Sequence, residues 1–294
     1  MSSAFEEQDN EPEILDEIGK LGVNLDEEQR KKIRAKIREI RNFVPKIGVF
    51  GKTGAGKSHL CNALFGREVA EISDVAACTR EPQHILVPAG TSGICLIDVP
   101  GVGESPERDA EYSELYKRLL PELDIVLWVV KADDRALSVD QTVYKECVEP
   151  FNTTIPTVFV INQIDKIEPL REWDVEARLP GPKQSENIKA KIADVSQIFN
   201  VDENQIKAVS AAESYGLSAL VDQIVNVLPN EKKFGVVCEA KKENVTPESE
   251  REAERGVWES IKEYAGKALD FYKEHKEVIH SVIQGIFSLF AKKK

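Results

Sequence analysis

From Pro45 onward, short apolar runs alternate with longer segments whose apolar residues recur at helical spacing. The runs predict strands at 46–50, 84–87, 94–98, 125–130, 157–162 and 206–210, and the longer segments predict helices near 58–65, 107–120, 138–149, 184–199 and 217–227. Because strands that alternate with helices usually pair in parallel, the pattern predicts an α/β domain with a mostly parallel sheet covered on both faces. The link at 88–93 is too short for a helix, so its two glycines predict a hairpin and one antiparallel edge strand.

An amphipathic pattern precedes this domain. Residues 25–43 place Ile33, Ile37 and Ile40 at helical spacing, and Pro45 ends the predicted helix. Its lysines and arginines favour a solvated face with internal ion pairs, while contact with RNA or acidic lipid is the alternative. We therefore divide the chain into an N-terminal helical extension, the α/β domain and a last part, over 1–44, 45–229 and 230–294.

The last part is predicted to begin with a charged, poorly periodic connector over 230–255. A helical segment follows, in which the apolar residues of 278–290 form one broad stripe that is too short to span a membrane. The stripe favours packing against the domain or against another copy of the chain. Attachment to a membrane surface is the alternative, because Phe287, Leu289 and Phe290 lie beside three C-terminal lysines.

Composition narrows the class of protein. Of the 294 residues, 41% are hydrophobic and 31% charged, as in soluble globular proteins, and the net charge of −12 argues against a general nucleic-acid coat. The five cysteines form no CxxC pair, which favours reduced thiols. The N-terminus lacks the pattern of a signal peptide, so we expect a cytoplasmic protein, with peripheral contact at the inner face of the membrane left open.

The sequence from Gly51 to Ser58 reads G-K-T-G-A-G-K-S, which matches the phosphate-loop pattern GxxxxGK[ST] between a predicted strand and a predicted helix. Glycines let successive backbone N–H groups turn toward phosphates, and the helix adds its positive end. Lys57 is expected to bridge the β- and γ-phosphates, and the Ser58 hydroxyl to ligate Mg²⁺. A tight glycine turn without a ligand is the alternative. The predicted phosphate-binding residues are Gly51, Lys52, Thr53, Gly54, Ala55, Gly56, Lys57, Ser58 and His59.

The next motif, Asp98-Val99-Pro100-Gly101, is a DxxG pattern at the end of the predicted strand 94–98. Asp98 is expected to hold Mg²⁺ through water. The Gly101 N–H can approach the γ-phosphate because no side chain is in the way. A DxxG pattern alone is weak evidence for a nucleotide site. Its position directly after an apolar strand strengthens the prediction.

The choice of base depends on Asn162-Gln163-Ile164-Asp165, which follows the predicted strand 157–162. A carboxylate at Asp165 can accept the N1 and N2 protons of guanine, whereas adenine offers no such donors. Gln163 replaces the lysine of the usual N-K-x-D motif, so we expect somewhat weaker nucleotide binding. After the last strand, Ser210 and Ala211 complete the predicted base site, with the Ala211 N–H directed at guanine O6.

These motifs, in this order, resemble the translation-factor-like class of small GTPases, and specifically its Era/TrmE-like branch. The stretches "GKTGAGKSHLCNAL", "SDVAACTRE" and "LIDVPGVGES" resemble most closely the bacterial YfjP-type GTPases, over roughly residues 46 to 228. The resemblance implies a P-loop NTPase G domain with a six-stranded, mostly parallel sheet flanked by helices and with helical N- and C-terminal extensions. It also implies GTP/GDP and Mg²⁺ as ligands, and it makes Thr79 the switch I threonine that coordinates Mg²⁺ and senses the γ-phosphate.

The resemblance implies that the chain lacks the usual water-positioning side chain for hydrolysis. Val102 stands where Ras-like proteins carry a water-positioning glutamine. Lys57, Thr79 and Gly101 are the expected catalytic residues. Glu104 and Arg80 are candidates for positioning water, and exposed switch residues are the alternative. Turnover should therefore be slow without a partner or dimerisation. Potassium-activated relatives carry asparagine where this chain has Gly54, so no potassium requirement is expected.

Two functions follow from the resemblance. The first is a Mg²⁺-dependent GTPase that acts as a nucleotide-dependent switch. The alternative is a GTP-regulated binding or assembly module with incidental turnover, whose partner is another protein or a membrane surface reached through the C-terminal helix. A homodimer through the nucleotide face is left open. RNA is less expected, because residues 230–294 lack the GxxG loop of the RNA-binding appendage found in this branch.

Overall fold

The computed structural model describes residues 26–66, 83–89, 92–98 and 106–265. Within these residues one sheet has the strand order β2-β3-β1-β4-β5-β6, in which β2 is antiparallel to β3 and the other pairs are parallel. The mostly parallel sheet with an antiparallel edge strand is therefore confirmed. The strands are β1 Lys46–Gly51, β2 Gln83–Ala89, β3 Ser92–Asp98, β4 Ile125–Lys131, β5 Thr157–Asn162 and β6 Ile206–Ala208.

Helices flank this sheet, as predicted. In the described ranges they are α1 Glu27–Asn42, α2 Lys57–Phe65, α3 Pro106–Leu119, α4 Ser138–Val143, α5 Pro182–Phe199, α6 Leu217–Val227, α7 Asn230–Glu239 and α8 Pro247–Ala265. The helix predicted over 138–149 is shorter than expected, because α4 continues as a π-helical segment over Tyr144–Val148. Every helix in these ranges is too short or too polar to cross a membrane.

Each face of the sheet has its own apolar core, because successive side chains of a strand point to opposite faces. On one face, Val49 and Leu127 pack with residues of α2, α6, α7 and α8. On the other, Phe50 and Trp128 pack with residues of α3, α4 and α5. The second core is rich in aromatic pairs, which include Phe50–Tyr116, Trp128–Tyr144 and Phe159–Phe199.

The predicted N-terminal helix is present as α1. Asp26 caps it and forms a capping box with Gln29, which satisfies backbone N–H groups of the first turn. Ile33, Ile37 and Ile40 are buried, as the helical spacing predicted. Helix α1 packs against α7 and α8, so helices from the two ends of the described chain lie together.

The prediction of a connector over 230–255 is wrong. The region forms α7, a short turn and the first half of α8, which bury apolar residues that include Phe234, Val236 and Ala253. Lys233 and Glu252 are also largely buried, and they form an ion pair at 3.2 Å between the two helices. The sequence analysis missed these helices because charged residues interrupt their apolar pattern. A sequence does not reveal which charges will form ion pairs when they are buried.

Helix α8 packs closely against the start of α7. A Cβ atom at Gly256 would lie 2.5 Å from the Asn230 carbonyl oxygen, so the contact requires glycine there. The apolar stripe predicted over 278–290 lies outside the described residues, and the proposed boundaries at 44 and 229 stay predictions.

Candidate nucleotide site

The predicted phosphate loop joins the end of β1 to the start of α2. Gly56 is the N-cap of α2 and has a left-handed backbone, with φ +83° and ψ 31°. A Cβ atom at Gly56 would lie 2.7 Å from the side-chain nitrogen of Asn162, so a larger residue would break the loop's contact with β5. Gly54 also has a positive φ, of +83°, and beyond its chain neighbours no atom of the described residues lies within 4 Å of the position of its absent Cβ. The loop thus has room for a ligand beside Gly54.

The two lysines of the loop have different surroundings. The Lys57 ammonium donates to the Gly51 carbonyl oxygen at 3.1 Å and to the Lys52 carbonyl oxygen at 3.4 Å, so its side chain lies across the loop. The Lys52 ammonium donates instead to a carboxylate oxygen of Asp134 at 2.9 Å and to the Ala136 carbonyl oxygen at 3.3 Å. Lys52 therefore ties the loop to the segment between β4 and α4.

That contact helps to lower the pKa of Asp134. Burial raises its pKa, but hydrogen bonds from Lys52 and from the Ala136 N–H, together with the charges of Lys52 and Lys191, leave the pKa below its ordinary value. The carboxylate therefore stays charged at neutral pH and pairs with Lys52. Among the other predicted phosphate-binding residues, Thr53 and His59 are exposed and Ser58 is half-buried at the start of α2.

Asn162, the last residue of β5, connects three of the predicted motifs. Its side chain is buried, and its amide nitrogen donates to the carbonyl oxygens of Ala55 at 3.0 Å and Gly56 at 3.4 Å. Its amide oxygen accepts the Ala211 N–H at 3.2 Å. Ser210 is held in the same loop by paired backbone hydrogen bonds with Tyr215. The structure thus brings the phosphate loop, Asn162 and the Ser210–Ala211 pair to one edge of the sheet.

Gln163 and Asp165 lie in the turn that follows β5. The Gln163 amide donates to the Gly54 carbonyl oxygen at 3.0 Å and accepts from the Lys166 ammonium at 2.8 Å. The Oδ1 atom of Asp165 is buried and has no hydrogen-bond partner among the described residues. A buried acceptor without a donor is destabilising unless a ligand supplies one, so this atom fits the donors of a guanine base.

The predicted Mg²⁺ ligand Asp98 lies on β3, which pairs with β1. Asp98 ends β3, and its backbone is in register with Val49, two residues before the phosphate loop. Thr79 and Gly101 lie outside the described residues, as do Arg80, Val102 and Glu104. Their predicted roles stay predictions.

Sequence reasoning did not single out Asp140, a carboxylate of α4. Its side chain is 1% exposed, and neither of its oxygens has a hydrogen-bond partner among the described residues. Burial raises its pKa to about 6, although the positive charge of Lys52 opposes the shift. In the sequence, Asp140 comes shortly after the charged residues of the loop between β4 and α4, so nothing marks it as buried.

Comparison with known proteins identifies the family. Residues 46–163 match the family described as 50S ribosome-binding GTPase. YfjP, an uncharacterized protein of Escherichia coli strain K12, is 40% identical over 209 residues, which are 71% of this chain and 70% of YfjP. The chain belongs to the Era-like GTPases related to YfjP. As a member, it is an enzyme that binds and hydrolyses GTP.

Era itself is a more distant relative of this Era-like GTPase. GTPase Era of Aquifex aeolicus strain VF5 is 28% identical over 190 residues, which are 62% of this chain and 56% of Era. A crystal structure of Era in complex with MgGDPNP and nucleotides 1506–1542 of 16S ribosomal RNA matches with a TM-score of 0.50 and 28% identity. That match covers 63% of this chain and 57% of the Era chain, so the likeness spans little more than half of Era. The G-domain fold that the resemblance implied is confirmed.

Proposed function

We propose that this GTPase holds GTP with Mg²⁺ at the edge of the sheet formed by the phosphate loop, the Asn162–Asp165 turn and the Ser210–Ala211 pair. Hydrolysis to GDP and phosphate then changes its conformation, so that it acts as a nucleotide-dependent switch. The observation that carries the proposal is the buried side chain of Asn162, which bonds to the phosphate loop and to Ala211 at once. This one side chain sets the spacing between a phosphate cradle and a base site.

The phosphate end of the site uses backbone N–H groups, the positive end of α2 and Lys57. On nucleotide binding, the Lys57 ammonium exchanges the carbonyl oxygens of Gly51 and Lys52 for phosphate oxygens. Ser58, Asp98 and Thr79 offer the hydroxyl and carboxylate oxygens that Mg²⁺ prefers. When bound, Mg²⁺ neutralises charge on the β- and γ-phosphates.

The base end uses the Asp165 carboxylate as the acceptor for the N1 and N2 protons of guanine. Its buried, unpartnered Oδ1 supports this role. Gln163 contributes a hydrogen bond to the loop through Gly54. Because that bond is neutral, we expect weaker nucleotide binding than a lysine would give.

The hydrolysis step relies on residues around Thr79 and Gly101. Because Val102 cannot position water, we propose that Glu104 or Arg80 does so, with slow turnover in the isolated protein. Gly54 in place of asparagine leads us to expect equal turnover in KCl and NaCl.

Phosphate release by the full chain tests the proposal. We expect Lys57→Ala, or removal of Mg²⁺ with EDTA, to abolish GTP turnover. Lys145→Ala is the matched control, because Lys145 is also a lysine but is exposed outside the site. Turnover that is unchanged in Lys57→Ala would contradict the proposed mechanism.

The alternative is a GTP-regulated binding or assembly module. One contact favours it: α7 packs against β3, the strand that ends at Asp98 and leads toward Gly101. Helix α7 therefore adjoins the strand that is expected to respond to the γ-phosphate. Light scattering with GDP and with a slowly hydrolysed GTP analogue tests for self-assembly, which changes the mass with nucleotide state. A mass change that persists in a variant without turnover favours the assembly module.

A further inference from the structure

Gln184, near the start of α5, supports the turn that carries Asp165. Its side chain is completely buried, and its amide nitrogen donates to the carbonyl oxygen of Ile167 at 2.8 Å and to that of Asp165 at 3.3 Å. One side chain therefore holds the backbone at Asp165 and again two residues later. The site's phosphate contacts do not involve this side chain.

The orientation of this amide is decided by its surroundings. If the amide were reversed, its oxygen would face two carbonyl oxygens, and all three atoms are acceptors. The oxygen Oε1 has no hydrogen-bond partner among the described residues. The buried amide therefore acts on this turn as a donor.

Glu172 holds Gln184 in place. One of its carboxylate oxygens, Oε2, accepts the backbone N–H groups of Lys183 at 2.8 Å and Gln184 at 3.1 Å. These N–H groups belong to the first turn of α5, which lacks intrahelical acceptors for them. A chain of contacts thus runs from Glu172 through the first turn of α5 to Gln184, and from Gln184 to the Asp165 backbone.

We propose that Gln184 is a positioning residue that sets the selectivity of this GTPase for guanine. It fixes the backbone around Asp165, so that the carboxylate meets both the N1 and the N2 protons of the base. A bidentate pair needs both bonds near ideal geometry, because hydrogen bonds weaken steeply with angle. The proposal rests on the proposed function, in which Asp165 reads guanine.

Competition binding with GDP and IDP tests this in the full chain. Hypoxanthine keeps N1–H but lacks the 2-amino group, so the ratio of the two affinities reports the second hydrogen bond. Gln184→Met keeps an unbranched side chain and removes the donor. We expect it to weaken GDP binding about tenfold, close to the value of one charge-assisted hydrogen bond, and to weaken IDP binding much less.

Gln141→Met is the matched control. The Gln141 amide donates to the Ile198 carbonyl oxygen at 2.5 Å, near the other end of α5 and not to the Asp165 turn. It should keep the wild-type ratio. An unchanged ratio in Gln184→Met, which includes an equal loss of GDP and IDP affinity, would overturn the proposal. A purely structural role would weaken the binding of both nucleotides alike.

Two further variants keep the test decisive. If Gln184→Met does not fold, Glu172→Gln replaces it. We expect the ratio of GDP to IDP affinity to fall about threefold, and an unchanged ratio there counts against the proposal.

Asp165→Asn tests the proposed function separately, because its amide should favour the 2-oxo group of XDP over GDP. If Asp165→Asn changes the preference and the Gln184 variant does not, only the inference about Gln184 fails. If Asp165→Asn changes nothing, the assignment of Asp165 fails, and the inference fails with it.

Discussion

The two ends of α2 are held by the same kind of side chain for different purposes. At the N-terminal end, Asn162 donates to the carbonyl oxygens of Ala55 and Gly56, at 3.0 and 3.4 Å. At the C-terminal end, Asn244 donates to the carbonyl oxygens of Ala63 and Leu64, at 2.9 and 3.2 Å. Both asparagines are buried, and of these four bonds only the one to Gly56 is partly exposed to water.

The difference lies in what surrounds each asparagine. Asn162 also accepts the Ala211 N–H, and its neighbour Gly56 caps α2 without a side-chain hydrogen bond, which suits an end that receives phosphate. Asn244 follows α7, and the Lys241 N–H bonds to Leu64 beside it, so the last carbonyl groups of α2 have partners in the protein. We propose that one end binds the nucleotide, while the other end is anchored to the terminal helices.

Asn162→Ala should have the largest effect on binding. It removes three hydrogen bonds worth about 1 kcal/mol each, so GDP affinity should fall about 100-fold. Titration with a fluorescent GDP analogue measures this. A loss below about threefold would show that the loop keeps its shape without Asn162.

Asp140 differs from the two asparagines. It is buried, but its carboxylate has no hydrogen-bond partner among the described residues. Its pKa of about 6 lies above that of an unfolded carboxyl, so the native state binds an extra proton between about pH 4 and pH 6. The stability of the wild type should therefore fall as pH rises through this window.

Asp140→Asn should remove that dependence. About two pKa units correspond to about 3 kcal/mol, so the variant should be more stable than the wild type by up to this amount at pH 7.5. The gap should close toward pH 4. Urea unfolding at several pH values checks the sign, and a variant that is less stable at pH 7.5 would indicate a native partner for the carboxylate.

Asn244→Ala should affect stability and leave binding nearly intact. Two buried hydrogen bonds are lost, to the carbonyl oxygens of Ala63 and Leu64, and among the described residues only the Leu64 oxygen keeps a donor, the Lys241 N–H. The free energy of unfolding should therefore fall by about 2 kcal/mol. The melting temperature should fall by about 5 °C. GDP affinity should stay within about twofold of the wild type. If binding falls as far as in Asn162→Ala, the two ends of α2 are not independent.

Asp134→Ala should have the smallest effect. It frees Lys52 from a partly exposed ion pair, and such pairs contribute up to about 1 kcal/mol, so GDP affinity should fall about two- to fivefold. Calorimetry at low and high salt measures the change. An effect as large as that of Asn162→Ala would show that Asp134 contributes as much as Asn162 to holding the phosphate loop.

Much of the candidate site was predictable because its motifs are local. The run from Gly51 to Ser58 needs its glycines, its lysine and its hydroxyl at fixed spacing, and the apolar strand before it fixes where the loop lies. The strands were predictable for a similar reason, since β4 and β5 are buried and read as continuous apolar runs. Gln184 and Asp140 were not predictable, because a polar residue in a helix carries no sign of what will pack around it.

The sequence by itself determined the chemistry of this GTPase: a phosphate loop, a guanine motif with glutamine in place of lysine, and alternating strands and helices. Each depends on residues close together in the chain. Only the tertiary structure decided that the terminal helices pack with the domain and that Asn244 caps α2, a contact across 181 residues. The physical reason is that burial and hydrogen-bond partners are properties of the assembled chain, so a charged segment such as 230–255 reveals its helices only when its charges and apolar residues meet their partners.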